Sequence, residues 1–355
     1  MANEAEMIIG IHPDRIDKVS YSDKWTEFLD ARGVEVRVLN LLAPNAFEQA
    51  RQCDGVMWEW AHNPQDKQSA KRILYTIEHY LDIPVYPDSS TAWHYDEKTA
   101  QFYLLQALNA PMLQTWLFWD KNSALQWART APYPVVFKLS SGAGSSNVIK
   151  VNNRSQAIGL INRAFKRGFF PYTMNEYKSI AGLPRSRSQL KSLIKRMIDS
   201  PRYLLANDYP ALHPVHWKPE FGYVYFQEFL PDNEFDTRIS IIGDRAFGLS
   251  RLNRPGDFRA SGSGRIEHNP SAIDPRCVEI AFQISERGAF QSMAYDFLYR
   301  DGQPVICEIS YAYVDWAVHD CPGHWRRDLS WVDGQMWPEE AQVEDFLTRV
   351  CSAKK

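Results

Sequence analysis

The length, composition and charge of the chain bound the class of protein to which it belongs. Its 355 residues exceed a typical single domain, and a hydrophobic fraction of 45% with 23% charged residues is that of an ordinary globular protein. The formal net charge of −3 includes no overall basic excess, which argues against nucleic acid as a partner.

The N-terminal residues and the cysteines bear on the compartment. The opening MANEAEMIIGIHPD has no basic region followed by an apolar one, and no window approaches about 18 uninterrupted apolar residues, so we expect neither a secretory signal nor a membrane partner. The five cysteines are scattered and form no CxxC pair, which argues against a disulfide framework or a zinc site. We therefore expect a cytoplasmic protein with reduced thiols.

Short β-prone runs alternate with helical spacing up to about residue 90. These runs are MIIGIH, VEVRVLN at 34–40, GVMWEW at 55–60 and PVYP at 84–87. Such alternation is typical of α/β units with a parallel sheet. Residues 1–90 are therefore predicted to form an α/β N-terminal domain.

A loop without side-chain bulk marks the next part, residues 91–226. After the predicted amphipathic helix DEKTAQFYLLQALN comes PVVFKLSSGAGSSNVIKV at 134–151, in which two β-prone segments flank a Gly/Ser loop. Such a loop lets backbone N–H groups approach an anion, and Lys138 on the first strand adds a positive charge. Taken alone, the pattern fits a plain flexible hairpin equally well.

A basic segment between 163 and 202 holds ten Lys or Arg residues against two acidic ones. A surface segment of this composition is most often solvated, while contact with an anionic substrate or a nucleic acid is the alternative. Its role stays open.

Residues 227–355 predict a second β-rich part. Strand patterns surround a GD turn at 243–244 and a DG turn at 301–302. The DG hairpin places Asp296 and Glu308 on one face, where two carboxylates hold a divalent cation. The alternative is that each carboxylate pairs with a local arginine, for example Arg300.

Arginines are concentrated just before this hairpin. The candidates, which lie within 28 residues of one another, are Arg238, Arg251, Arg254, Arg259 and Arg265. Guanidinium groups bind carboxylates and phosphates in bidentate fashion, so the cluster is suited to bind a substrate that carries such groups. Solvated loop charges are the alternative for one or two of them.

Several separated segments, taken in order, resemble the ATP-grasp superfamily, and within it the RimK-like and glutathione-synthetase-like carboxylate–amine ligases. The segments are DEKTAQFYLLQALNAPMLQT, VVFKLSSGAGSSNV, FQEFLP, EFDTRISIIGD, GDFRASGSGR and YDFLYRDGQPVICEIS. The Trp-rich tail past residue 310 is similar, more weakly, to ATP-grasp proteins of bacterial surface-polysaccharide synthesis. The resemblance implies an α/β pre-ATP-grasp domain (1–90) and an α+β ATP-grasp fold of two subdomains (91–226 and 227–355).

The resemblance also implies a site for ATP and a metal. ATP is then bound by Lys98, Lys138, Gly142, Ala143, Gly144, Ser145, Ser146, Glu228, Phe229, Leu230 and Asp236. Mg²⁺, with Mn²⁺ as an alternative, is held by Asp296, Glu308 and Ser310. The catalytic residues implied are Arg259 and Arg238, to which the arginine cluster adds Arg251.

The implied activity is an ATP-dependent carboxylate–amine ligation through an acyl phosphate, with release of ADP and phosphate. The expected partners are a small-molecule acid and an amine, for instance an amino acid or a sugar acid of polysaccharide synthesis. Ser310 stands where the family usually has Asn, so a catalytically weak ATP-binding protein is one alternative and an ATP-grasp kinase is another. The oligomeric state is open, since many members of the superfamily are homodimers.

Overall fold

The computed structural model describes residues 7–14, 20–60, 64–142, 147–171, 218–254 and 264–354. These residues fall into two compact units. The first comprises Met1–His62, Asp66–Leu113 and Leu230–Lys355, and the second comprises Asn63–Gln65 and Gln114–Phe229. The domain boundaries at residues 90 and 226 stay a prediction.

A four-stranded parallel sheet opens the first unit. Its strands are β1 (Ile8–Ile11), β2 (Glu35–Val38), β3 (Gly55–Met57) and β4 (Val85–Tyr86), in the order β2-β1-β3-β4. The helices among them are α1 (Tyr21–Asp30), α2 (Ala46–Ala50), α3 (Pro64–Tyr80) and α4 (Ser89–Ala92). All three strand pairings are parallel, which confirms the predicted α/β pattern. The carboxyl ends of the strands therefore lie along one edge.

Helix α1 illustrates how the sequence builds this layer. The hydroxyl of Ser20 caps the helix by accepting the N–H of Asp23 at 3.0 Å. Trp25 and Leu29, four residues apart, lie on the buried face and pack in one core with Phe346 from the C-terminal helix. The end of the chain thus stabilises its beginning.

An antiparallel sheet forms the rest of the first unit. Its strands are β9 (Phe235–Ile242), β10 (Arg245–Leu252), β11 (Ile266–Glu267), β12 (Ser292–Arg300), β13 (Gln303–Ser310), β14 (Gly323–Arg326) and β15 (Trp331–Asp333). The order is β13-β12-β9-β10-β14-β15, with β11 against β10. The accompanying helices are α5 (Lys98–Ala107), α8 (Pro275–Gly288), α9 (Asp315–His319) and α10 (Pro338–Ala353).

The predicted DG hairpin is confirmed between β12 and β13. Asp301 and Gly302 both have positive φ, 50° and 71°, which is the conformation of a type I′ turn. The turn sets Arg300 opposite Gln303, and a register shift between Asp296 and Phe297 then sets Asp296 opposite Glu308. The two carboxylates therefore share one face of the sheet because of this β-bulge, since the turn alone would set Asp296 opposite Cys307.

The second unit contains its own antiparallel sheet. Its strands are β5 (Thr115–Phe118), β6 (Val135–Lys138), β7 (Val148–Val151) and β8 (Val224–Glu228), in the order β5-β8-β6-β7, with helices α6 (Lys121–Trp127) and α7 (Arg154–Ala164). Lys138 pairs with Val148, so the Gly/Ser segment joins two adjacent antiparallel strands as predicted. Among the helices described in either unit, none is long and apolar enough to cross a membrane.

Replacing Gly302 by Ala tests the turn that sets the hairpin register. A Cβ at φ 71° is strained, so Gly302→Ala is expected to lower the free energy of unfolding by about 1 kcal/mol or more, measured by chemical denaturation.

The matched control is Gly159→Ala. Gly159 is exposed inside α7, where a Cβ meets nothing within 4 Å and alanine is the better helix former, so the same substitution is expected to raise stability by about 1 kcal/mol or less. Equal effects at the two sites would contradict the turn assignment.

Candidate functional site

Four charged side chains meet on neighbouring strands of the antiparallel sheet. Asp236 and Arg238 are alternate residues of β9 and therefore point to the same face. Arg251 on β10 lies opposite Asp236, and Asp296 on β12 lies opposite Arg238. The strand register alone thus brings two carboxylates and two guanidinium groups together.

These four residues form a buried ion-pair network. Nε and Nη2 of Arg238 donate to the two oxygens of Asp296 at 2.7 and 2.9 Å. Nε and Nη2 of Arg251 donate to Asp236, both at 2.7 Å, and Nη2 of Arg251 also lies 2.7 Å from Oδ2 of Asp296. Arg251 therefore bridges both carboxylates. Asp296 pairs with Arg238 and Arg251 rather than with Arg300, the arginine named in the alternative to metal binding.

The network sets the protonation of its members. Burial raises the pKa of Asp296, but the charges of Arg238 and Arg251 lower it by more, so the pKa lies well below its usual range. Burial, which outweighs the charge of Arg251, raises the pKa of Asp236 to about 6. Asp296 is therefore the firmly ionised carboxylate of the site.

Glu308, across the hairpin from Asp296, contacts a lysine. Nζ of Lys98, the first residue of α5, lies 2.9 Å from Oε1 of Glu308. Lys98 follows two acidic residues on a helix with a surface-like pattern, yet it is only 6% exposed. The implied nucleotide lysine and the implied metal ligand are therefore direct neighbours, a pairing that no local pattern in the sequence indicates.

Ser310 ends the same strand. Its hydroxyl donates to the backbone oxygen of Ala312 at 2.6 Å. An asparagine amide at this place has an oxygen to offer a metal, whereas this hydroxyl is engaged by the backbone. Ser310, which stands where the resembled family usually has Asn, therefore has its hydroxyl group hydrogen-bonded within the chain.

Asp296 and Glu308 supply hard carboxylate oxygens of the kind that Mg²⁺ takes. Within the described ranges no group of three or more His, Cys, Asp or Glu side chains is placed to hold a metal ion. A pair of carboxylates fits Mg²⁺ bound together with substrate phosphates and water, because Mg²⁺ in such sites takes only one or two protein carboxylates.

The second unit carries Lys138 and the Gly/Ser loop. Lys138 is 7% exposed and is the last residue of β6. It therefore lies directly before the Gly/Ser loop. Gly142 has φ 115°, in the region that favours glycine. Ala143, Gly144, Ser145, Ser146 and the implied catalytic Arg259 lie outside the described residues.

Glu220 is a site residue that sequence analysis missed. Its carboxylate accepts the N–H groups of Ser140, at 2.9 Å, and of Ser141, at 3.2 Å, and it contacts the hydroxyls of Ser141 and Tyr223. The first N–H groups of the loop therefore already bind an anionic group of the chain itself. No sequence signal indicates this contact, because Glu220 follows the basic segment far along the chain.

The implied adenine-binding residues begin with Glu228, the last residue of β8. The N–H of Glu228 donates to the backbone oxygen of Gln114 at 2.9 Å, and Oε1 of Glu228 accepts the N–H of Gln114 at 2.6 Å. Nζ of Lys150 lies 3.7 Å from the centre of the Phe229 ring, and Leu230 is half-buried. The backbone N–H and the side-chain carboxylate of Glu228 are thus both hydrogen-bonded to Gln114, which directly precedes β5.

Removing Arg251 tests the network. Arg251→Gln leaves two buried carboxylates with one guanidinium group, so the free energy of unfolding is expected to fall by about 3–5 kcal/mol at neutral pH, measured by chemical denaturation.

Arg72→Gln is the control, since Arg72 is exposed on α3, where its Nη1 donates to the backbone oxygen of Gln68 at 2.8 Å, and its removal is expected to change stability little. A loss for Arg251→Gln no larger than for this control would contradict the network.

The sequence and the fold were compared with known proteins. No family model matches the chain. It is 22% identical over 225 residues to an alpha-aminoadipate–LysW ligase, LysX, of Saccharolobus solfataricus, a match that covers 62% of this chain and 64% of that protein. The chain thus aligns with less than two thirds of this relative's length.

Solved structures match over nearly the whole chain. A D-alanine–D-alanine ligase from Bacillus anthracis, complexed with ATP, is 12% identical with 98% of each chain covered and a TM-score of 0.58. A RimK domain ATP-grasp protein from Sphaerobacter thermophilus is 14% identical, with 96% of this chain and 99% of that chain covered and a TM-score of 0.53. An N5-carboxyaminoimidazole synthase from Aspergillus clavatus, in complex with ADP, is 11% identical, with 97% and 77% covered and a TM-score of 0.56. The chain therefore has the fold of these ATP-grasp structures, which confirms the fold that its sequence motifs predict.

Proposed function

We propose that the protein is an ATP-dependent ligase that joins a carboxylic acid to an amine. The acid attacks the γ-phosphate to give an acyl phosphate and ADP, and the amine then displaces phosphate to leave an amide. One observation carries the proposal: Asp296 and Glu308 lie opposite each other, and each contacts basic side chains suited to phosphate. The names of the relatives, which are ligases or were solved with ATP or ADP, support it.

In this proposal the nucleotide is bound by two lysines, by the Gly/Ser loop and by backbone groups after β8. Lys98 and Lys138 contact the phosphates, the loop from Gly142 to Ser146 covers them, and the residues Glu228, Phe229 and Leu230 bind adenine through the backbone. Mg²⁺ or Mn²⁺, held by Asp296, Glu308 and Ser310, neutralises phosphate charge when bound.

Arg238 and Arg251 are proposed to bind the acid and its acyl phosphate, together with Arg259. Each of the two uses Nε and Nη2 for carboxylates, and in the described part of the chain its Nη1 makes no hydrogen bond. Two fixed guanidinium edges on one sheet face need little reorganisation to stabilise developing negative charge. Asp236 is the positioning residue that orients Arg251.

For the substrates we propose only a chemical class. The names of two relatives specify amino acids, α-aminoadipate and D-alanine, which supports an amino acid as one substrate. The proposal that the other substrate is a sugar acid of polysaccharide synthesis rests only on the weaker resemblance of the tail past residue 310.

A second candidate is a protein that binds ATP with weak turnover. It is favoured by Ser310, whose hydroxyl is engaged by the oxygen of Ala312. A kinase on the same fold is the third, and it differs by needing no amine.

The proposal is tested by incubating the purified protein with ATP, Mg²⁺ and pools of amino acids and sugar acids. Consumption of ATP is measured, and the nucleotide product is identified as ADP or AMP. ADP and phosphate are expected only when an acid and an amine are both present. Glu308→Gln is expected to lower kcat by at least about 100-fold, because one of the two proposed metal carboxylates is lost.

The matched control is Glu286→Gln, on the exposed face of α8, which is expected to leave kcat unchanged. Turnover with the acid alone to a stable phosphorylated product would replace the ligase by the kinase. Tight ATP binding with no turnover across the pools would favour the second candidate.

A further inference from the structure

The base of the Gly/Ser loop is held by residues to which the proposed reaction gives no role. The loop leaves β6 through Leu139, Ser140 and Ser141, and it enters β7 after Asn147. Residues 142–146 lie between these two ends. The contacts that hold the ends therefore decide where this stretch starts and finishes.

Asn147 joins the two ends of the loop to each other. The N–H of Leu139 donates to the backbone oxygen of Asn147 at 3.2 Å, and Nδ2 of Asn147 donates to the backbone oxygen of Ser141 at 2.8 Å. Asn147 is buried, and hydrogen bonds are stronger away from water. The loop is thus closed at its base on the side of β7.

Glu220 holds the other side of the base with a single carboxylate. Oε2 of Glu220 accepts the N–H of Ser140 at 2.9 Å and the hydroxyl of Tyr223. Oε1 accepts the N–H of Ser141 at 3.2 Å and the hydroxyl of the same serine. Carboxylates accept stronger hydrogen bonds than neutral oxygens do. One side chain therefore fixes two successive residues at the start of the loop.

The backbone of Glu220 is itself fixed against the end of α7. Its N–H donates to the oxygen of Phe169, and its own oxygen accepts the N–H of Phe169, both at 2.9 Å. Gly168 lies so close that a Cβ there would clash with the backbone oxygen of Glu220. The N–H of Gly222 donates to the oxygen of Ala164, the last residue of α7, at 3.1 Å. The carboxylate is therefore carried by a fixed segment of the chain.

A carboxylate at a phosphate loop acts in one of two opposite ways. As a stand-in for phosphate, it leaves when the nucleotide binds, and its removal strengthens nucleotide binding. As a clamp, it stays and keeps the loop in shape, and its removal weakens nucleotide binding. Two observations favour the clamp: Glu220 is held by its backbone, and it contacts Ser140 and Ser141 rather than residues 142–146, which are proposed to cover the phosphates.

We propose that Glu220 is a positioning residue that clamps the base of the Gly/Ser loop, with Tyr223 as its support. The clamp presents residues 142–146 to the β- and γ-phosphates of the nucleotide. That the loop covers these phosphates rests on the proposed function. That Glu220 fixes the start of the loop rests on its hydrogen bonds alone.

The number of phosphates on the ligand separates a clamp from a merely structural contact. ATP has the two phosphates that the loop is proposed to cover, and AMP has neither. Glu220→Gln replaces one accepting oxygen by an NH₂ group, which cannot accept an N–H. The Kd for ATP with Mg²⁺ is expected to rise at least about tenfold, and the Kd for AMP to change by less than about twofold. Isothermal titration calorimetry measures both, with AMP in competition against ATP.

A second variant and a control accompany Glu220→Gln. Tyr223→Phe removes one donor to Glu220 and keeps the carboxylate, so it is expected to raise the Kd for ATP in the same direction, by about threefold. Glu286→Gln makes the same chemical change on the exposed face of α8 and is expected to leave both Kd values unchanged. Melting temperatures followed by circular dichroism identify any variant that does not fold.

Each outcome decides between the possible roles. Tighter ATP binding by Glu220→Gln would overturn the clamp and make the carboxylate a stand-in for phosphate. Equal losses for ATP and AMP would leave Glu220 with a structural role only. If the parent chain binds ATP and both variants bind it equally well, the clamp is wrong while the ATP site stands. No ATP binding by the parent chain would refute the proposed function, and the clamp with it.

Discussion

The paired charges of Asp236, Arg238, Arg251 and Asp296 are the interaction on which the candidate site depends. Buried carboxylates and guanidinium groups are tolerated only when each meets an opposite charge with good geometry. The registers of β9 with β10 and with β12 provide that geometry. A shift of one strand by one residue would turn its charged side chains to the other face of the sheet. The site therefore forms only when the strands pair in this register.

The network supports the phosphate chemistry that we propose for this sheet face. Because Arg251 bridges two carboxylates, its position is fixed before any substrate arrives, and the same holds for Arg238. Prearranged donors are worth more to catalysis than mobile ones.

The sequence predicts what local patterns determine. Strand alternation, the DG turn at Asp301 and Gly302, and the Gly/Ser loop after Lys138 are read from neighbouring residues. The opposition of Asp296 and Glu308 also requires the β-bulge between Asp296 and Phe297, which the turn residues do not indicate. The contacts of Lys98 with Glu308, of Arg251 with Asp296 and of Glu220 with the loop join distant segments. They depend on how helices and strands pack, which periodicity and turn residues do not encode.

Oxygen transfer from the acid to phosphate tests the central claim most directly. In a ligase of this kind the carboxylate oxygen that attacks the γ-phosphate leaves with phosphate when the amine attacks the carbonyl carbon. With ¹⁸O-labelled carboxylic acids, Mg²⁺, ATP and amines, the released phosphate is predicted to carry one ¹⁸O atom for each amide formed. ATP consumption that yields unlabelled phosphate would contradict the acyl-phosphate mechanism.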